Sequence, residues 1–184
     1  KELCEKAGAE VEAVVADVCD FDSIKAFVDK TVERFGTVDV LVNNAGGALQ
    51  MPAGEFEDMP LDYWDKQITL NLSSAAYCAQ AAIRNMKANN IPGRIVNISS
   101  VHGTISWVKR KFLPYCAAKG GLEMMTKALA VEVAKYGIRE ASMVYDDIYP
   151  SITGAIYNGQ AIDEIKDVAK DLVDGGDVNV SAIA

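Results

Sequence analysis

The feature that most constrains the fold of this chain is an alternation between strand-like runs and stretches with helical periodicity. Residues 38–42 (VDVLV) are apolar almost throughout, as a strand buried on both faces should be. Residues 94–100 (RIVNISS) and 11–18 (VEAVVADV) also predict strands. Strands that alternate with helices pair in parallel through helical crossovers, so the sequence predicts an α/β layered fold.

Helices are predicted over three stretches: residues 24–35, 61–89 and 114–136. In the second, apolar residues recur every three or four positions. Asp22 or Ser23 is the expected cap of the first helix, and Gly36 its stop. Pro114 suits the opening of the third helix, and Gly137 its end.

Composition limits the function classes. The chain has 184 residues, of which 50% are hydrophobic, and this suits a single domain over residues 1–184. The net charge is −8, and residues 140–184, an atypical acidic tail region, hold 2 basic and 9 acidic side chains. An acidic chain is a poor partner for phosphate backbones, so no nucleic acid is expected. No apolar run reaches the ~18 residues of a membrane span, so no membrane partner is expected either.

Cysteine and histidine usage predicts a reduced, cytoplasmic protein without a metal site. Four cysteines are widely spaced and form no CxxC pair: Cys4, Cys19, Cys78 and Cys116. One histidine and no clustered cysteines leave no zinc pattern. A disulfide framework is not expected in a chain of this length.

Three predicted strands end in polar or small residues that suit a binding site. These ends are Asp17-Val18, Asn43-Asn44-Ala45-Gly46 and Ser99-Ser100. Ligands of parallel α/β sheets bind at the carboxyl ends of the strands, and these ends meet along one edge. We therefore expect the three segments to lie near each other.

The sharpest local feature is the segment Tyr115-Cys116-Ala117-Ala118-Lys119. Positions i and i+4 share one face of a helix, so Tyr115 and Lys119 can face one pocket. A free phenol has a pKa of about 10, and a nearby cation lowers it. The pair is therefore a plausible proton donor and acceptor for an alcohol–ketone couple. The alternative is a packed Tyr115 beside a solvated Lys119.

Four motifs occur together in one order along the chain: NNAG from Asn43, NLSS from Asn71, NISS ending at Ser100, and YCAAK from Tyr115 to Lys119. In this combination the chain resembles the short-chain dehydrogenase/reductase family over residues 1–139. The resemblance implies a Rossmann-like doubly wound parallel sheet with helices on both faces, incomplete relative to the family. It also implies a homo-tetramer or homo-dimer.

The resemblance implies four catalytic roles. Tyr115 would exchange a proton with the substrate oxygen. Lys119 would lower the pKa of Tyr115 and hydrogen-bond the nicotinamide ribose. Ser100 would hold the substrate oxygen, although Ser99 competes for this role. Asn71 would fix a water that links Lys119 to solvent. His102, the only histidine, is expected to be a loop residue near the pocket.

The implied cofactor is NAD or NADP. Asp17 and Val18 would lie beside the adenine. Asn43, Asn44, Ala45 and Gly46 would pass under the adenosine ribose, where small residues permit a close approach of the backbone. Asp17 is alternatively a residue of the helix N-terminus or a loop residue. Asn44 is alternatively a structural residue that ties neighbouring strands.

The chain departs from the family pattern at both ends. The family opens with a strand and a TGxxxGxG turn that cradles the pyrophosphate, and this sequence starts at Lys1, past that pattern. The Pro-Gly turn expected after Ile138 is also missing. Residues 149–158 resemble the family's last strand, and residues 162–173 predict a helix. Alternatively, the glycines from Gly154 onward, this helix and a strand over about 176–180 imitate the missing opening in permuted order.

The predicted function is hydride transfer between NAD(P) and a carbonyl or secondary alcohol. The substrate would be a small molecule of the sugar, hydroxysteroid or 3-oxoacyl type. The main alternative is a catalytically incomplete scaffold or oligomerisation module of the same fold that binds no dinucleotide. A weaker alternative is a flavodoxin-like sheet, which leaves Ser100, Tyr115 and Lys119 without a role.

Overall fold

A parallel sheet forms the centre of the protein. The computed structural model describes residues 5–6, 8–49, 55–106, 112–145 and 180–183. The strands in this part are β1 (Val40–Asn43), β2 (Arg94–Ser100), β3 (Arg139–Tyr145) and β4 (Val180–Ile183). Their order across the sheet is β3-β2-β1-β4, and every neighbouring pair is parallel. The predicted parallel α/β fold is thereby confirmed.

Helices connect the strands, close to where the sequence places them. They are α1 (Phe21–Phe35), α2 (Leu61–Ile68), α3 (Ser74–Ala88) and α4 (Leu113–Val133). A π-helical segment, Thr69–Ser73, joins α2 to α3, so the long helix predicted over 61–89 is a continuous rod with one widened turn. Short 3₁₀ turns cover Phe56–Asp58, Val101–Gly103 and Ala134–Tyr136.

The cap of α1 differs from the prediction. Asp20 is the cap, because its carboxylate accepts hydrogen bonds from the backbone N–H groups of Asp22 and Ser23. The cap has to precede the first turn, whose N–H groups have no partner inside the helix. Ser23 lies within that turn, and its hydroxyl instead accepts a hydrogen bond from the backbone N–H of Asp17, at 2.8 Å. The helix ends at Gly36, as predicted.

The strand predicted over residues 11–18 is wrong. The structure has no strand there, and the side chain of Val15 is fully exposed, at 102%. A β-branched run becomes a strand only when a neighbouring strand takes up its backbone hydrogen bonds. In the doubly wound order 3-2-1-4-5-6, the third strand pairs only with the second. No strand in the described part of the chain takes that neighbouring place.

The strand β4 pairs with the free side of β1, in the register Val40 with Val180. If residues 11–18 stand for the family's third strand, then β1 to β3 correspond to the fourth to the sixth. In the order 3-2-1-4-5-6, the place beside the fourth strand belongs to the first, and β4 occupies it here. The strand expected over 149–158, the helix expected over 162–173 and the permuted glycine turn lie outside the described residues.

One apolar core joins the sheet to the helices. Leu41 of β1 and Ile95 of β2 pack with Ile24 of α1, Ala79 of α3 and Val133 of α4. These helices therefore cover the face of the sheet that carries Leu41 and Ile95. Helices on the opposite face, which the doubly wound prediction also requires, are not among α1, α3 and α4.

A chain of buried polar groups runs through this face of the sheet. The Asn43 amide donates to Asn97 Oδ1 across β1 and β2, at 2.8 Å, and to the carbonyl of Ala75 in α3. The Asn97 amide donates in turn to Thr126 Oγ1 of α4, at 2.9 Å, and to Glu140 Oε1 of β3, at 2.6 Å. Asn97 is fully buried, and these direct hydrogen bonds tie three strands and a helix together.

Replacing Asn97 with alanine should lower the free energy of unfolding by about 3 kcal/mol, because it leaves several buried polar groups without partners. Urea unfolding followed by circular dichroism measures the change. The matched control is Asn89→Ala at the exposed end of α3, where we expect a loss of no more than about 0.5 kcal/mol. Equal losses in the two variants would contradict the role given to Asn97.

Candidate active site

The carboxyl ends of β1 and β2 and the first turns of α4 meet at one edge of the sheet. β1 ends at Asn43 and β2 ends at Ser100, with Asn43 in register with Asn97. Tyr115 lies in the first turn of α4, and Lys119 lies one turn further along. Two of the three segments expected at one edge, Asn43 to Gly46 and Ser99-Ser100, thus meet there together with the Tyr115–Lys119 segment.

Lys119 is buried beside Tyr115. Only 4% of Lys119 is exposed, and its Nζ donates a hydrogen bond to the carbonyl of Ile98 in β2, at 2.8 Å. The same Nζ lies 5.8 Å from the centroid of the Tyr115 ring. The alternative of a solvated Lys119 is therefore wrong. Burial lowers the pKa of the Lys119 ammonium, and the negative charge of Glu123, one turn further along α4, opposes that shift.

The two candidate serines differ in their surroundings. Ser100 ends β2 and caps the short turn Val101–Gly103, where its Oγ accepts a hydrogen bond from the backbone N–H of His102, at 3.2 Å. Ser99 is also buried, and its Oγ has no hydrogen-bond partner among the described residues. Because Ser100 already accepts a bond, its own hydroxyl hydrogen is left for another acceptor.

Asn71 clamps the turn that follows β1. It is 2% exposed and lies in the π-helical segment, whose widened turn brings its side chain to the backbone of Gly47. Asn71 Oδ1 accepts from the N–H of Gly47 at 2.8 Å, and Asn71 Nδ2 donates to the carbonyl of Gly47 at 3.0 Å. A Cβ on Gly46 would lie 2.9 Å from Asn71 Oδ1 and 3.5 Å from Lys119 Nζ. Only glycine therefore fits at position 46 without displacing Asn71.

Gln67 is a member of this site that the sequence analysis missed. It is fully buried, one helical turn before Asn71. Its backbone carbonyl accepts from Asn71 Nδ2 at 3.1 Å, and its side-chain amide contacts the Asn71 amide and the Tyr63 hydroxyl. The Tyr63 hydroxyl donates in turn to the carbonyl of Leu49. A polar residue four positions before Asn71, on the face that α2 buries, was the available signal.

The predicted cofactor residues fall into different environments. Asn43 is the strand tie, whereas Asn44 is exposed, so the interpretation of Asn44 as the residue that ties the strands is wrong. Ala45 and Val18 are partly buried and pack against the core. Asp17 is exposed, and its carboxylate accepts a hydrogen bond from the N–H of Cys19, at 2.8 Å. Asp17 thus lies in the loop ahead of α1 and its cap Asp20, as the interpretation of Asp17 as a loop residue expects.

The Asp17 turn and the loop after β1 border a common cleft of 420 Å³. Cys19 and Leu49 line it, together with residues of α2 and the π-helical segment: Asp62, Asp65, Lys66, Thr69 and Leu70. The cleft thus lies between the residue that follows Asp17-Val18 and the loop that follows Asn43 to Gly46.

No group of three or more His, Cys, Asp or Glu side chains that could hold a metal ion occurs in the described part of the chain. Within the same residues, no helix is long and apolar enough to cross a membrane.

The parallel sheet, the backbone turn clamped after β1 and the half-buried Tyr115 beside the buried Lys119 define a Rossmann-like α/β protein with its candidate site at the carboxyl edge of the sheet. A family profile described as Enoyl-(Acyl carrier protein) reductase matches residues 1–166. The chain belongs to the short-chain dehydrogenase/reductase family.

Individual relatives agree with this assignment. Glucose 1-dehydrogenase 2 of Bacillus subtilis (strain 168) is 39% identical over 140 residues, which are 75% of this chain and 52% of that protein. NAD+-bound xylitol dehydrogenase superposes with a TM-score of 0.67 at 31% identity, covering 77% of this chain and 53% of the other. A metagenomic short-chain oxidoreductase in complex with NADP gives 0.69 at 29% identity, covering 80% and 65%. The chain spans about half the length of the curated relatives it matches.

The carboxyl of Glu140 should make stability depend on pH. Burial raises the pKa of Glu140 to about 7, and the hydrogen bond from Asn97 opposes this shift. An unfolded glutamate titrates near 4.3, so between about pH 4.3 and about 7 the folded state binds more protons than the unfolded state. The stabilisation is complete at the acid end of this window and is lost as the pH rises through about 7.

Glu140→Gln keeps an acceptor for the Asn97 amide and removes this titration. Its free energy of unfolding should therefore fall less than that of the original protein between about pH 5 and about pH 8. Urea unfolding across that range measures the difference. The control is Glu132→Gln at an exposed position of α4, which should keep the original pH dependence. An unchanged pH dependence in Glu140→Gln would rule out Glu140 as its source.

Proposed function

We propose that this chain carries the proton-transfer site of an NAD(P)-dependent oxidoreductase that interconverts a carbonyl and a secondary alcohol. The observation that carries the proposal is the burial of Lys119 one helical turn from Tyr115. Burying an ammonium group has a free-energy cost because the charge loses its hydration, so a buried lysine points to a specific role. A cation beside a phenol favours the phenolate. A tyrosine prepared in this way can act as a general acid and base near neutral pH.

The turn after β1 suits a dinucleotide. Gly46 approaches Asn71 so closely that a Cβ would clash with Asn71 Oδ1, and the missing side chain leaves a backbone surface that a ribose can approach. We propose that Asn43, Asn44, Ala45 and Gly46 bind the adenosine ribose and that Asp17 and Val18 bind the adenine. Tyr115 and Lys119 would hold the nicotinamide ribose. The solved relatives that hold NAD+ or NADP support either cofactor. When bound, the nicotinamide supplies or accepts the hydride.

The chain itself moves the proton. In reduction, Tyr115 Oη donates its proton to the substrate oxygen, and in oxidation it takes that proton back. Lys119, held in place by the carbonyl of Ile98, stabilises the phenolate that remains. The Ser100 hydroxyl, which accepts a hydrogen bond from the N–H of His102, donates its own hydrogen to the same substrate oxygen. Asn71 fixes a water through which the proton passes from Lys119 to solvent.

The substrate class follows from the relatives rather than from the site. A glucose dehydrogenase, a xylitol dehydrogenase and a profile described by an acyl-carrier reaction are all similar to this chain. We therefore propose a small molecule of the sugar, hydroxysteroid or 3-oxoacyl type. The free thiols of Cys19, Cys78 and Cys116 suit a reduced, cytoplasmic setting.

We also propose a homo-dimer or homo-tetramer built on the groove between α3 and α4. The groove has a volume of 630 Å³. Its lining includes a few charged residues and the following apolar or small ones: Ala76, Ile83, Met125, Ala128 and Leu129. Small and apolar side chains permit close helix packing against a second copy.

Tyr115→Phe should lower kcat by about 100-fold or more, because phenylalanine keeps the ring and removes the proton. The assay follows nicotinamide absorbance with NAD+ and NADP+ and a panel of D-glucose, xylitol, a 3-hydroxysteroid and a 3-hydroxyacyl thioester. Tyr77→Phe in α3, whose ring packs on Phe21, is the control and should keep full activity. Full activity in Tyr115→Phe would exclude this mechanism.

Titration with NADH and NADPH tests the scaffold alternative. Saturable enhancement of nicotinamide fluorescence supports the oxidoreductase, whereas its absence with both cofactors would favour a module that binds no dinucleotide.

Ala128→Arg should shift the protein to a smaller species in sedimentation equilibrium, because a charged side chain in the α3–α4 groove opposes close packing of two copies. The control is Ala26→Arg at an exposed position of α1, which should leave the mass unchanged. A monomeric original protein, or an assembly that tolerates Ala128→Arg, would refute the proposed interface.

A further inference from the structure

His102 is buried between the two elements that carry the proton-handling groups. It lies two residues after Ser100 in the turn Val101–Gly103 and is only 5% exposed. The turn also packs closely against α4: a Cβ on Gly103 would lie only 3.1 Å from the backbone carbonyl of Lys119. His102 is therefore a loop residue near the pocket, as expected, and it is also buried against α4.

The imidazole ring of His102 contacts two aromatic rings at the start of α4. Its centroid lies 6.2 Å from that of Tyr115, with an angle of 70° between the ring planes, and 5.4 Å from that of Phe112, at 69°. The rings of Phe112 and Tyr115 lie 6.1 Å apart, at 66°. Each pair has the edge-to-face geometry that aromatic rings prefer, so packing among the three rings restricts their orientations.

A hydrogen bond fixes the rotation of the imidazole. His102 Nδ1 lies 3.3 Å from the carbonyl oxygen of Ile105, which only accepts, so we assign the ring proton to Nδ1. His102 Nε2 then carries a lone pair that can accept a hydrogen bond. This atom is buried without a partner among the described residues. A buried acceptor of this kind is unfavourable, which argues that the ring is kept at this position for its contacts.

We propose that His102 is a positioning residue that orients both Ser100 and Tyr115, a role that rests on the proposed oxidoreductase function. Its backbone N–H holds the Ser100 hydroxyl, and its ring sets the plane of the Tyr115 phenol. Both groups address the same substrate oxygen in that function, so a single residue fixes the angle between them. A small misplacement at such a site costs activity rather than substrate affinity.

The first test needs neither substrate nor cofactor. The chain has a single histidine, so its imidazole protons give one set of NMR signals. A nuclear Overhauser contact between these protons and the Tyr115 ring protons, assigned by their loss in Tyr115→Leu, is the expected result. No such contact in the otherwise folded protein would overturn the proposal.

The second test separates the ring from the hydrogen bond. His102→Phe keeps an aromatic ring, and His102→Asn keeps a side-chain donor for Ile105 while removing the ring. We expect kcat of His102→Asn to fall by roughly 10- to 100-fold with little change in KM, and His102→Phe to stay within about 3-fold of the original protein. Thr104→Ala, at an exposed position of the same segment, is the control.

Two outcomes of the second test overturn the inference: full kcat in His102→Asn, or an equal loss in His102→Phe. The proposed function fails separately, when Tyr115→Phe keeps full activity with the same panel of alcohols. If Tyr115→Phe is inactive and His102→Asn is not impaired, only the positioning role of His102 is lost.

Discussion

The parallel pairing of β1 with β2 is the constraint on which the rest of the structure depends. Its register sets Asn43 opposite Asn97, and their amides meet at 2.8 Å inside the protein. A one-residue slip of either strand would turn the amide of that strand to the other face, away from α3 and α4. Because the register is held in this way, the turn after β1 and the serines that end β2 reach the same edge of the sheet.

Burial then gives this edge its chemistry. The apolar core lies beneath it, and the ammonium of Lys119 is stabilised by the carbonyl of Ile98 and by nearby negative charge. The same low-polarity setting strengthens the interaction of Lys119 with Tyr115. Asn71, which the π-helical segment orients toward Gly47, holds the turn after β1 by hydrogen bonding to the backbone of Gly47. The sheet register and the buried charges therefore act as one arrangement.

Two differences between expectation and structure have the same origin. Residues 11–18 have the composition of a strand, yet they form none, because a strand also requires a neighbour for its backbone hydrogen bonds. Asp20 caps α1 in place of Asp22 or Ser23, because the cap is decided by which carboxylate reaches the free N–H groups. In both cases the local pattern was compatible with several partners, and only the folded chain selected one.

The sequence by itself determined the alternation of parallel strands and helices, the end of α1 at Gly36, the end at Gly137 of the 3₁₀ turn that follows α4, and the shared face of Tyr115 and Lys119. These features follow from short-range patterns in the sequence. Tertiary structure decided which asparagine ties the strands, that Lys119 is buried, and that Gln67 and His102 belong to the site. The partners in these contacts come from different elements, as with Asn43 and Asn97, which are 54 positions apart. No local pattern encodes such a pairing, because it depends on how the helices and strands pack together.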